Sequence, residues 1–361
     1  MALDPEVVLG SVVIGAGQAG LSTSYHLRRR GIDHVVLDAD PAPGGAWQHR
    51  WDSLTMHDVH GIAALPDAEV VEAQEGMANV VVPAYFAGYE RAHRLPVLRP
   101  VHVDEVVDGP DGLLEVRGGD RSWLTRTLVN ATGTWSQPFV PTYPGAATFS
   151  GRQLHTHDYP GPEAFRGRRV VVVGGGASAV QLLGEIAPVA AGTLWVTRRE
   201  PVWRTDDFTP EVGRAAVALV EDRVRRGLPP ASVVSVTGLA LREQERVAER
   251  LGAYARQPMF EAIEPDGVRM PDGTRWQADV ILWATGFRPA VVHLAPLRLR
   301  SRHGGIQLDG TTAVADPRVQ LVGYGPSAST IGANRAGRVA ARGVAAWLSR
   351  DAQTASMASS A

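Results

Sequence analysis

A glycine pattern near the N-terminus places the strongest constraint on how this chain can fold. In residues 11–20, Ser-Val-Val-Ile-Gly-Ala-Gly-Gln-Ala-Gly, an apolar run leads into G-x-G-x-x-G. Gly15 permits a tight turn, Gly17 leaves room for a pyrophosphate, and Gly20 lets a helix pack closely on the preceding strand. A helical pattern follows, and its N-terminus would offer free N–H groups to the phosphates. The predicted contacts with the dinucleotide are Gly15, Gly17, Gln18, Ala19 and Gly20.

A second apolar segment, residues 32–37, ends in an acidic residue. Asp38 lies 18 residues after Gly20, where a carboxylate accepts hydrogen bonds from a ribose diol in this kind of fold. The two glycines of Pro-Ala-Pro-Gly-Gly-Ala-Trp follow, and they suit a second close approach of the backbone to the cofactor. Trp47 could cover that cofactor, with plain core packing as the alternative. Further contacts with the cofactor are predicted for Asp38, Ala39, Gly45, Ala46 and Trp47.

The composition narrows the class of protein. The chain has 361 residues, enough for two domains, with 44% apolar residues, 20% charged residues and a net charge of −2. This net charge does not indicate a basic surface for binding nucleic acid. No apolar run reaches the length of a membrane span. The acidic N-terminus is unlike the basic start of a signal peptide. We therefore expect a cytoplasmic protein without a nucleic-acid or membrane partner. Because the chain has no cysteine, it cannot form disulfides, cysteine metal sites or a redox-active cysteine pair.

The glycine pattern occurs a second time. Four valines at 170–173 precede Gly174, Gly176 and Ala179 in the order G-x-G-x-x-A. In each half, a helical pattern, a second strand, a strand-rich segment and the sequence Ala-Thr-Gly follow. The first glycine and the threonine of Ala-Thr-Gly are 117 residues apart in the first half and 111 apart in the second. This agreement predicts two related nucleotide-binding modules. Their further contacts are predicted to be Thr132 and Gly133 in the first module, and Gly174, Gly176, Ala177, Ser178, Ala179, Thr285 and Gly286 in the second.

The two modules differ at the end of the second strand. The position of Asp38 in the first module is taken by Thr197 in the second, with Arg198 and Arg199 after it. A carboxylate suits a free ribose 2′-hydroxyl and repels a 2′-phosphate, whereas arginine can bind that phosphate through two hydrogen bonds. The first module is therefore predicted to bind FAD and the second NADPH, with NADH not excluded. The alternative is that both arginines belong to a solvated strand end.

These patterns predict an α/β fold class with two Rossmann-like, three-layer ββα-type dinucleotide-binding domains. The NADP domain is expected to be inserted in the FAD domain. The FAD domain would be discontinuous, residues 1–150 plus 288–350, and the NAD(P)H domain would cover residues 151–287. Residues 351–361 are rich in alanine and serine and are predicted to be disordered.

Two further segments give less specific predictions. Amphipathic patterns predict helices at 210–226 and 238–256. These helices would interrupt the second module, and their sequences contain no recognisable catalytic or binding motif. Near the C-terminus, Ser329 or Thr330 is suited to cap a final helix that extends to Leu348. The N-terminus of that helix would point at a polar group of the flavin. FAD contacts are therefore also predicted for Gly325, Ser329 and Thr330.

Between the modules, residues 149–159 read Phe-Ser-Gly-Arg-Gln-Leu-His-Thr-His-Asp-Tyr and match F-x-G-x-x-x-H-x-x-x-Y. With both glycine turns, Gly-Gly-Ala-Trp and both Ala-Thr-Gly sequences, the chain resembles the class B flavoprotein monooxygenases. Among them it is most similar to flavin-containing monooxygenases, in particular short bacterial members that oxidise thioethers. Baeyer–Villiger enzymes usually have tryptophan where Tyr159 stands, so that branch is the second choice. His155 and Tyr159 are expected to tie the two domains together and not to transfer protons.

The resemblance implies a mechanism and its cofactors. NADPH would reduce FAD, the reduced flavin would take up O₂ as a C4a-(hydro)peroxide, and a sulfide or amine would attack the distal oxygen. The chemistry would belong to the cofactor, while the protein positions the reactants and excludes water. Dimers are typical of the relatives, so a homodimer is expected, with O₂ and a small organic substrate as its partners. The resemblance also implies that Trp51, His57 and Val103 contact FAD and that Tyr159 contacts NADP.

One residue departs from the pattern of this family. Many members have an asparagine beside the flavin in the segment that matches residues 51–58, and the alignment places His57 there. A neutral imidazole can donate one hydrogen bond to a flavin or peroxide oxygen, and an imidazolium can protonate it. His57 is therefore the candidate catalytic residue, and an ordinary loop histidine is the alternative.

Other functions fit parts of the same pattern. A pyridine-nucleotide disulfide reductase shares the two-module plan but needs the cysteine pair that this chain lacks. An NAD(P)H-dependent reductase that serves a protein electron carrier lacks that pair too, although the match at residues 149–159 argues against it. A non-enzymatic flavin-binding protein would not need complete fingerprints in both modules. No metal site is expected at His155 and His157, because no cluster of carboxylates and histidines with ligand spacing accompanies them.

Overall fold

The chain divides into two units, each built around a sheet with a parallel core. The computed structural model describes residues 7–59, 62–69, 75–204, 210–230 and 238–359. Unit 1 consists of Met1–Thr134, Val217–Val233 and Pro289–Ala361, and unit 2 consists of Trp135–Ala216 and Val234–Arg288.

Strands and helices are numbered in chain order. The strands are β1 (Val8–Leu9), β2 (Ser11–Ile14), β3 (His34–Leu37), β4 (Val97–Leu98), β5 (Glu105–Asp108), β6 (Leu114–Gly118), β7 (Arg121–Thr125), β8 (Leu128–Asn130), β9 (Arg152–His155), β10 (Arg169–Val173), β11 (Gly192–Thr197), β12 (Gln257–Pro258), β13 (Ala262–Glu264), β14 (Gly267–Arg269), β15 (Arg275–Gln277), β16 (Val280–Trp283), β17 (Leu308–Asp309), β18 (Thr312–Ala313) and β19 (Val319–Leu321). The α-helices are α1 (Gln18–Arg28), α2 (Ala78–Ala92), α3 (Ala177–Ile186), α4 (Pro210–Arg225), α5 (Arg246–Arg250) and α6 (Thr330–Ser359).

The main sheet of unit 1 is parallel where it carries the first glycine turn. Among the described residues its strand order is β17-β18-β19-β8-β2-β3-β4, and the strands from β19 to β4 run parallel. All residues of β2 and β3 are buried, which explains their largely apolar sequences, because both faces of such a sheet are covered. The carboxyl ends of these strands share one edge, where nucleotides bind in sheets of this type.

Helices α1 and α6 pack against each other through small residues. An ideal Cβ on Gly337 would lie 2.6 Å from Ser22 Oγ and 2.8 Å from Thr23 N, so a larger residue would force the helices apart. Ser22 Oγ also donates a hydrogen bond to Asn334 O at 3.2 Å. Because Ser22 and Asn334 each lie in the first turns of their helices, this contact fixes two helix N-termini side by side.

Unit 1 also contains an antiparallel meander. Strands β5, β6 and β7 pair in sequence, and β1 adds to β7 in parallel. Val106, Val116 and Trp123 of the meander share a hydrophobic core with Leu37 and Leu128 of the main sheet. Each Å² of apolar surface buried in this core contributes about 25 cal/mol to stability, so the meander and the main sheet stabilise each other.

Unit 2 repeats this arrangement. Among its described residues the parallel sheet has the order β12-β11-β10-β16-β9, and β13, β14 and β15 form a separate antiparallel sheet. Val171 and Ile281 of the parallel sheet share a core with Phe260 and with Val268 of the antiparallel sheet. The predicted α/β fold class, with two dinucleotide-binding modules, is therefore confirmed.

The first boundary between the units differs from the predicted one. Residues 135–150, which the sequence assigns to the FAD domain, belong to unit 2. Phe139 N donates to Gly286 O at 3.0 Å, and Arg288 N donates to Gln137 O at 2.8 Å. These hydrogen bonds pair the segment with the chain that follows the second Ala-Thr-Gly sequence, a long-range contact that local patterns do not reveal.

A second difference concerns residues 217–233, which the sequence assigns to the second module and the structure to unit 1. Val224 of α4 is 3% exposed, and an ideal Cβ on Gly325 would lie 2.6 Å from its Cγ2 atom. Ser301 Oγ donates to Gly227 O at 2.6 Å. The C-terminal end of α4 is therefore covered by the C-terminal segment of unit 1.

The helix predicted at residues 238–256 is much shorter in the structure. Within that range, all of which is described, helical structure is confined to α5 and to the 3₁₀ turn Glu243–Glu245 before it. Gly252, with φ +74°, adopts a left-handed conformation that favours glycine and interrupts a helix. The apolar periodicity of residues 238–256 therefore reflects a buried face, but the helix itself ends at Arg250.

The predicted disordered tail is wrong for residues 351–359, because α6 continues to Ser359. Alanine-rich sequence readily extends a helix that is already formed, since the cost of nucleation has been met. Asp351 also accepts a hydrogen bond from Arg126 at 2.9 Å, which connects this part of the helix to the turn between β7 and β8. Residues 360 and 361 lie outside the described residues.

Candidate cofactor-binding sites

The first glycine turn has the geometry that a phosphate-binding turn needs. Gly15 has φ +98°, and an ideal Cβ there would lie 2.7 Å from Ala131 O. An ideal Cβ on Gly20 would lie 1.9 Å from Gly15 O, so only glycine lets α1 pack this closely. Gly17, in contrast, has no described atom within 4 Å of its Cβ position, and it caps α1 without a side-chain hydrogen bond. This open space at a helix N-terminus fits a pyrophosphate group.

The Gly-Gly-Ala-Trp segment lies against this turn. An ideal Cβ on Gly45 would lie 2.8 Å from Gly17 Cα, which brings two of the predicted FAD contacts together. Trp47 is half-buried, and the Arg50 guanidinium lies 5.6 Å from its ring centroid. Burial lowers the pKa of Arg50 to about 10. Trp51, another predicted contact, is 6% exposed.

Asp38 belongs to a buried ion-pair network that the sequence does not reveal. Its Oδ1 accepts a hydrogen bond from Ala16 N at 3.2 Å, and its Oδ2 accepts one from Arg99 Nε at 2.7 Å. Arg99 also donates two hydrogen bonds of 2.7 Å to the Glu90 carboxylate. Burial raises the pKa of Asp38, although the Arg99 guanidinium opposes this shift. Arg99 therefore fixes the carboxylate that is predicted to bind a ribose.

The first Ala-Thr-Gly sequence is held by a hydrogen-bond network. Thr132 Oγ1 donates to Ala290 O at 2.6 Å, and Asn130 Nδ2 donates to Thr132 Oγ1 at 3.0 Å. His293 Nε2 lies 2.7 Å from Asn130 Oδ1, which requires a hydrogen on Nε2. Burial lowers the pKa of His293 to about 4, so the imidazole is neutral at neutral pH. The motif identifies Thr132 and Gly133 but not His293, which lies 163 residues from Asn130.

The N-terminus of α6 carries the predicted cap. Ser329 Oγ accepts a hydrogen bond from Gly332 N at 3.1 Å, which confirms Ser329 as the N-cap. Gln18 of α1 and Asn334 of α6 both donate through their side-chain amides to the backbone carbonyls of residues 63–64. The two helix N-termini therefore face a common loop, and each presents the positive end of its dipole there.

Four other predicted FAD contacts have different surroundings. Ala39 is exposed, Ala46 is half-buried and Val103 is buried. Gly325 is predicted to approach the cofactor, but its Cβ position is occupied by Val224 of α4. Helix packing therefore explains the glycine at this position, and the sequence could not distinguish this reason from a ligand.

His57, the candidate catalytic residue, lies in an exposed turn. Thr55 N and Thr55 Oγ1 donate to Asp58 Oδ2 at 3.2 and 2.6 Å, and these bonds shape the turn. The His57 side chain is exposed, and its contacts within the described part of the chain do not define its function. A catalytic role for His57 stays a prediction.

The second glycine turn has the same geometry as the first. Gly174 has φ +143°, and an ideal Cβ there would lie 2.2 Å from Ala284 O. Gly176 has no described atom within 4 Å of its Cβ position, and α3 begins directly after it with Ala177 and Ser178. Ala179 is fully buried, as expected for the position that packs helix on strand. The turn therefore fits a second pyrophosphate.

Three arginines lie at the end of β11. Arg198 and Arg199 follow the strand and are exposed. A third arginine, Arg256, donates from Nε to Thr197 Oγ1 at 2.9 Å and from Nη2 to Thr197 O at 3.1 Å. Its Nη1 lies 2.8 Å from Glu200 Oε2. The motif identifies Arg198 and Arg199 but not Arg256, which lies 59 residues after Thr197.

His155 of the linker motif holds the second Ala-Thr-Gly sequence. Its Nε2 lies 3.0 Å from Gly286 O, and His157 N donates to its Nδ1 at 3.0 Å. These bonds require a neutral imidazole, and burial lowers the pKa of His155 accordingly. Thr285 Oγ1 donates to Phe139 O. His155 therefore ties the linker to a turn of its own unit, whereas the sequence interpretation has it joining the two domains.

Tyr159 is packed inside unit 2. Its hydroxyl donates to Glu185 Oε2 at 3.0 Å, and its ring stacks on Phe165 with centroids 5.5 Å apart. The residue is 6% exposed, and burial raises the pKa of its hydroxyl. These surroundings favour the packing interpretation of Tyr159 over the predicted contact with NADP.

The sequence also leads us to expect neither a metal site nor a membrane span. Within the described residues, no group of three or more histidine, cysteine, aspartate and glutamate side chains is placed to hold a metal ion. In the same part of the chain, no helix combines the length and apolar character needed to cross a membrane.

Comparison with known proteins identifies the family. The family model described as "Pyridine nucleotide-disulphide oxidoreductase" matches residues 10–324. Among solved structures, the flavin-containing monooxygenase from Stenotrophomonas maltophilia is 37% identical, with a TM-score of 0.80 and coverage of 94% of this chain and 99% of that chain. The chain belongs to the flavin-containing monooxygenases.

More distant relatives match this chain over most of their length. Indole-3-pyruvate monooxygenase YUCCA1 from Oryza sativa subsp. japonica is 28% identical over 325 residues, which covers 79% of this chain and 78% of the relative. The crystal structure of OTEMO in complex with FAD and NADP is 16% identical and has a TM-score of 0.66, with coverage of 97% and 87%. At that identity the likeness shows the fold alone.

As a flavin-containing monooxygenase, the protein is an oxidoreductase of a family that depends on FAD and NAD(P)H. The two open glycine turns fit the pyrophosphates of these two cofactors. The dithiol chemistry named in the broader family description is impossible for this monooxygenase, because its chain contains no cysteine.

Proposed function

We propose that this flavin-containing monooxygenase binds FAD in unit 1 and NADPH in unit 2, and that it transfers one oxygen atom of O₂ to a soft nucleophile. Sulfides would become sulfoxides and amines would become N-oxides, while the second oxygen atom leaves as water with two electrons from NADPH. The observation that carries the proposal is the pair of open glycine turns with opposite charges after them. An acid follows the turn of unit 1, and arginines follow the turn of unit 2.

The residues of unit 1 fit FAD. The N–H groups at the start of α1 would bind the pyrophosphate, with Gly17 leaving space for it. Asp38, held in place by Arg99, would accept hydrogen bonds from the adenosine ribose. Trp47 and Trp51 would exclude water. The capped N-terminus of α6 would stabilise negative charge on the flavin.

The residues of unit 2 fit NADPH. Gly176 and the start of α3 would bind the pyrophosphate, as Gly17 and α1 would in unit 1. Arg198 and Arg199 would bind the 2′-phosphate, because a guanidinium donates two parallel hydrogen bonds to phosphate oxygens. Replacing both arginines with alanine should therefore weaken NADPH and leave NADH nearly unchanged.

Few catalytic side chains are needed for this reaction. The bound cofactors supply the redox chemistry, namely two electrons from the nicotinamide and activation of O₂ at the flavin. The protein holds the reactants in place and keeps water out. We propose that His57 supplies a hydrogen bond or a proton to the reacting oxygen.

The substitution His57→Asn tests that role. It should change the rate of the reaction with O₂ more than the rate of flavin reduction by NADPH, because the imidazole would act only in the oxygen-transfer half of the cycle. Stopped-flow absorbance measures both rates on one preparation. Equal effects on the two rates would count against a catalytic role.

The proposed function is tested by mixing NADPH-reduced holoenzyme rapidly with oxygenated buffer and following its absorbance spectrum. A transient spectrum distinct from reduced and oxidised flavin is expected, and a thioether or tertiary amine should shorten its lifetime with matching product. Faster consumption by a cyclic ketone, or by indole-3-pyruvate as in the name of the plant relative, would replace the proposed substrate class.

Direct reoxidation with stoichiometric hydrogen peroxide would contradict oxygen transfer and favour a reductase that serves a protein carrier. Analytical ultracentrifugation of the same preparation tests the proposed homodimer.

A further inference from the structure

Arg256, which the sequence motif does not reveal, gives a further inference about unit 2. We propose that Arg256 forms the binding site for the 2′-phosphate of NADPH together with Arg198 and Arg199, and that it determines the preference for NADPH over NADH. The inference rests on the proposed function, because it assigns a specificity-determining residue to the proposed nucleotide site.

Arg256 is anchored where the adenosine ribose is expected. Thr197 stands 23 residues after the first glycine of its turn, as Asp38 does in unit 1, and this position contacts the ribose in dinucleotide-binding folds. Arg256 makes two hydrogen bonds to Thr197, one to its side chain and one to its backbone carbonyl. The guanidinium is therefore already ordered, so little conformational entropy would be lost when a phosphate binds.

Arg256 keeps hydrogen-bonding capacity for a ligand. A guanidinium has five N–H groups, and among the described residues the contacts with Thr197 and Glu200 use three of them. The remaining two N–H groups lie one on each terminal nitrogen, and both can donate to phosphate oxygens. The ammonium group of lysine could not hold Thr197 and grip a phosphate with the same geometry.

The charges around this strand end favour an anion. Arg198 and Arg199 directly follow the strand and Arg256 is bonded to its last residue, whereas the carboxylate paired with Arg256 in the described residues is that of Glu200, which is 76% exposed. An ion pair this exposed contributes little binding energy. The Glu200 side chain can therefore turn into solvent when a phosphate takes its place.

Unit 1 contains the same arrangement with the acid present. Arg99 Nε lies 2.7 Å from Asp38 Oδ2, and Arg256 Nε lies 2.9 Å from Thr197 Oγ1. In unit 1 the protein neutralises its own arginine through Asp38 and Glu90. In unit 2, Arg256 takes the place of Arg99, but Thr197 stands where Asp38 would provide a carboxylate. The 2′-phosphate of the ligand would therefore supply the negative charge that Asp38 supplies in unit 1.

Equilibrium binding to the purified holoenzyme tests the inference without any need for turnover. Isothermal titration calorimetry would compare adenosine 2′,5′-bisphosphate with adenosine 5′-monophosphate, two probes that differ in the 2′-phosphate alone. In Arg256→Gln the amide can still donate to Thr197, but the charge and the fork are lost. This variant should bind the bisphosphate roughly 10–100-fold more weakly and the monophosphate within about twofold of the unmodified enzyme.

Three further variants complete the design. Arg256→Lys keeps the charge and should show an intermediate loss for the bisphosphate. Glu200→Gln removes the competing carboxylate without touching the arginines and should tighten the bisphosphate about two- to threefold. The matched control is Arg166→Ala, an exposed arginine of the same unit that pairs with Glu163, and it should change neither affinity.

The outcomes separate this inference from the function on which it rests. Equal weakening of both probes by Arg256→Gln would overturn the inference, because it would mean that Arg256 only supports the strand end. The inference also fails, while the NADPH site stands, if Arg198→Ala with Arg199→Ala weakens the bisphosphate selectively and Arg256→Gln does not. If neither change discriminates between the probes, the proposed NADPH site itself fails.

Discussion

Unit 1 and unit 2 end their second strand in chemically opposite ways after glycine turns of the same geometry. In unit 1, Asp38, Arg99 and Glu90 form an ion-pair network whose side chains are 7–11% exposed. In unit 2, Thr197 takes the position of the acid, and Arg256 reaches it from a segment 59 residues away. The contrast indicates that the repeated backbone forms an open turn in both units, while one side chain and its arginine are expected to select which nucleotide binds there.

The largest expected effect comes from breaking the network of unit 1 with Arg99→Ala. Two buried carboxylates, Asp38 and Glu90, would lose their partner, and removal of one member of a buried ion pair costs about 3–5 kcal/mol. Urea unfolding measures this loss. Arg117→Ala is the control, because Arg117 is 45% exposed and pairs at the surface, where about 0–1 kcal/mol is expected. A loss no larger than that of the control would show that the network does not stabilise unit 1.

The substitution Thr197→Asp would make the strand end of unit 2 chemically similar to that of unit 1. The new carboxylate would pair with Arg256 and repel a 2′-phosphate, so NADPH should bind roughly 10–100-fold more weakly while NADH binds as before or better. Fluorescence titration of both nucleotides measures the ratio. Thr197→Ser keeps the hydroxyl and should leave the ratio unchanged. An unchanged ratio in Thr197→Asp would disprove the selection of nucleotide by this position.

Acid should destabilise unit 1 through His293. Its pKa is lowered by burial from 6.5 to about 4, so the unfolded chain takes up a proton first as the pH falls below 6.5. Stability is therefore lost between about pH 6.5 and pH 4, and the loss amounts to about 2 kcal/mol at pH 5.

Unfolding free energies at pH 7 and pH 5 check the effect of His293. His293→Gln should reduce the difference between the two pH values, and His303→Gln, at an exposed position of the same unit, should not. The same slope in all three proteins would contradict the assignment.

The smallest expected effect concerns the cap of α6. Ser329→Ala removes the hydrogen bond to Gly332 N and should cost about 1 kcal/mol in the free energy of unfolding. Ser349→Ala, an exposed serine in the same helix, should change it by less than about 0.5 kcal/mol. Equal effects would mean that the N-terminal cap does not stabilise the helix.

The features that depend on local chemistry could be predicted from the sequence. Gly15, Gly17 and Gly20 lie within six residues, and their spacing is recognisable because one turn places a positive φ at Gly15, open space at Gly17 and a close contact with Gly15 O at Gly20. The repeat in unit 2 is predictable for the same reason. Ser329 could be recognised as a cap because a capping side chain bonds to the backbone only three residues away.

The features that depend on long-range contacts could not be predicted. Arg99 lies 61 residues from Asp38, and Arg256 lies 59 residues from Thr197, so no spacing rule connects them. The same limit explains Gly325, whose partner Val224 is brought to it by the fold. The assignment of residues 135–150 and 217–233 to their units also depends on such contacts.

The length of α6 has a practical consequence for experiments on this enzyme. Met357 is 75% exposed and lies about 40 Å from the start of the helix at a rise of 1.5 Å per residue. Because the chain contains no cysteine, Met357→Cys would introduce a single thiol. A fluorophore or an electrode linker could then be attached at one defined position. Its distance from the Ser329 cap would be fixed by the continuous helix between them.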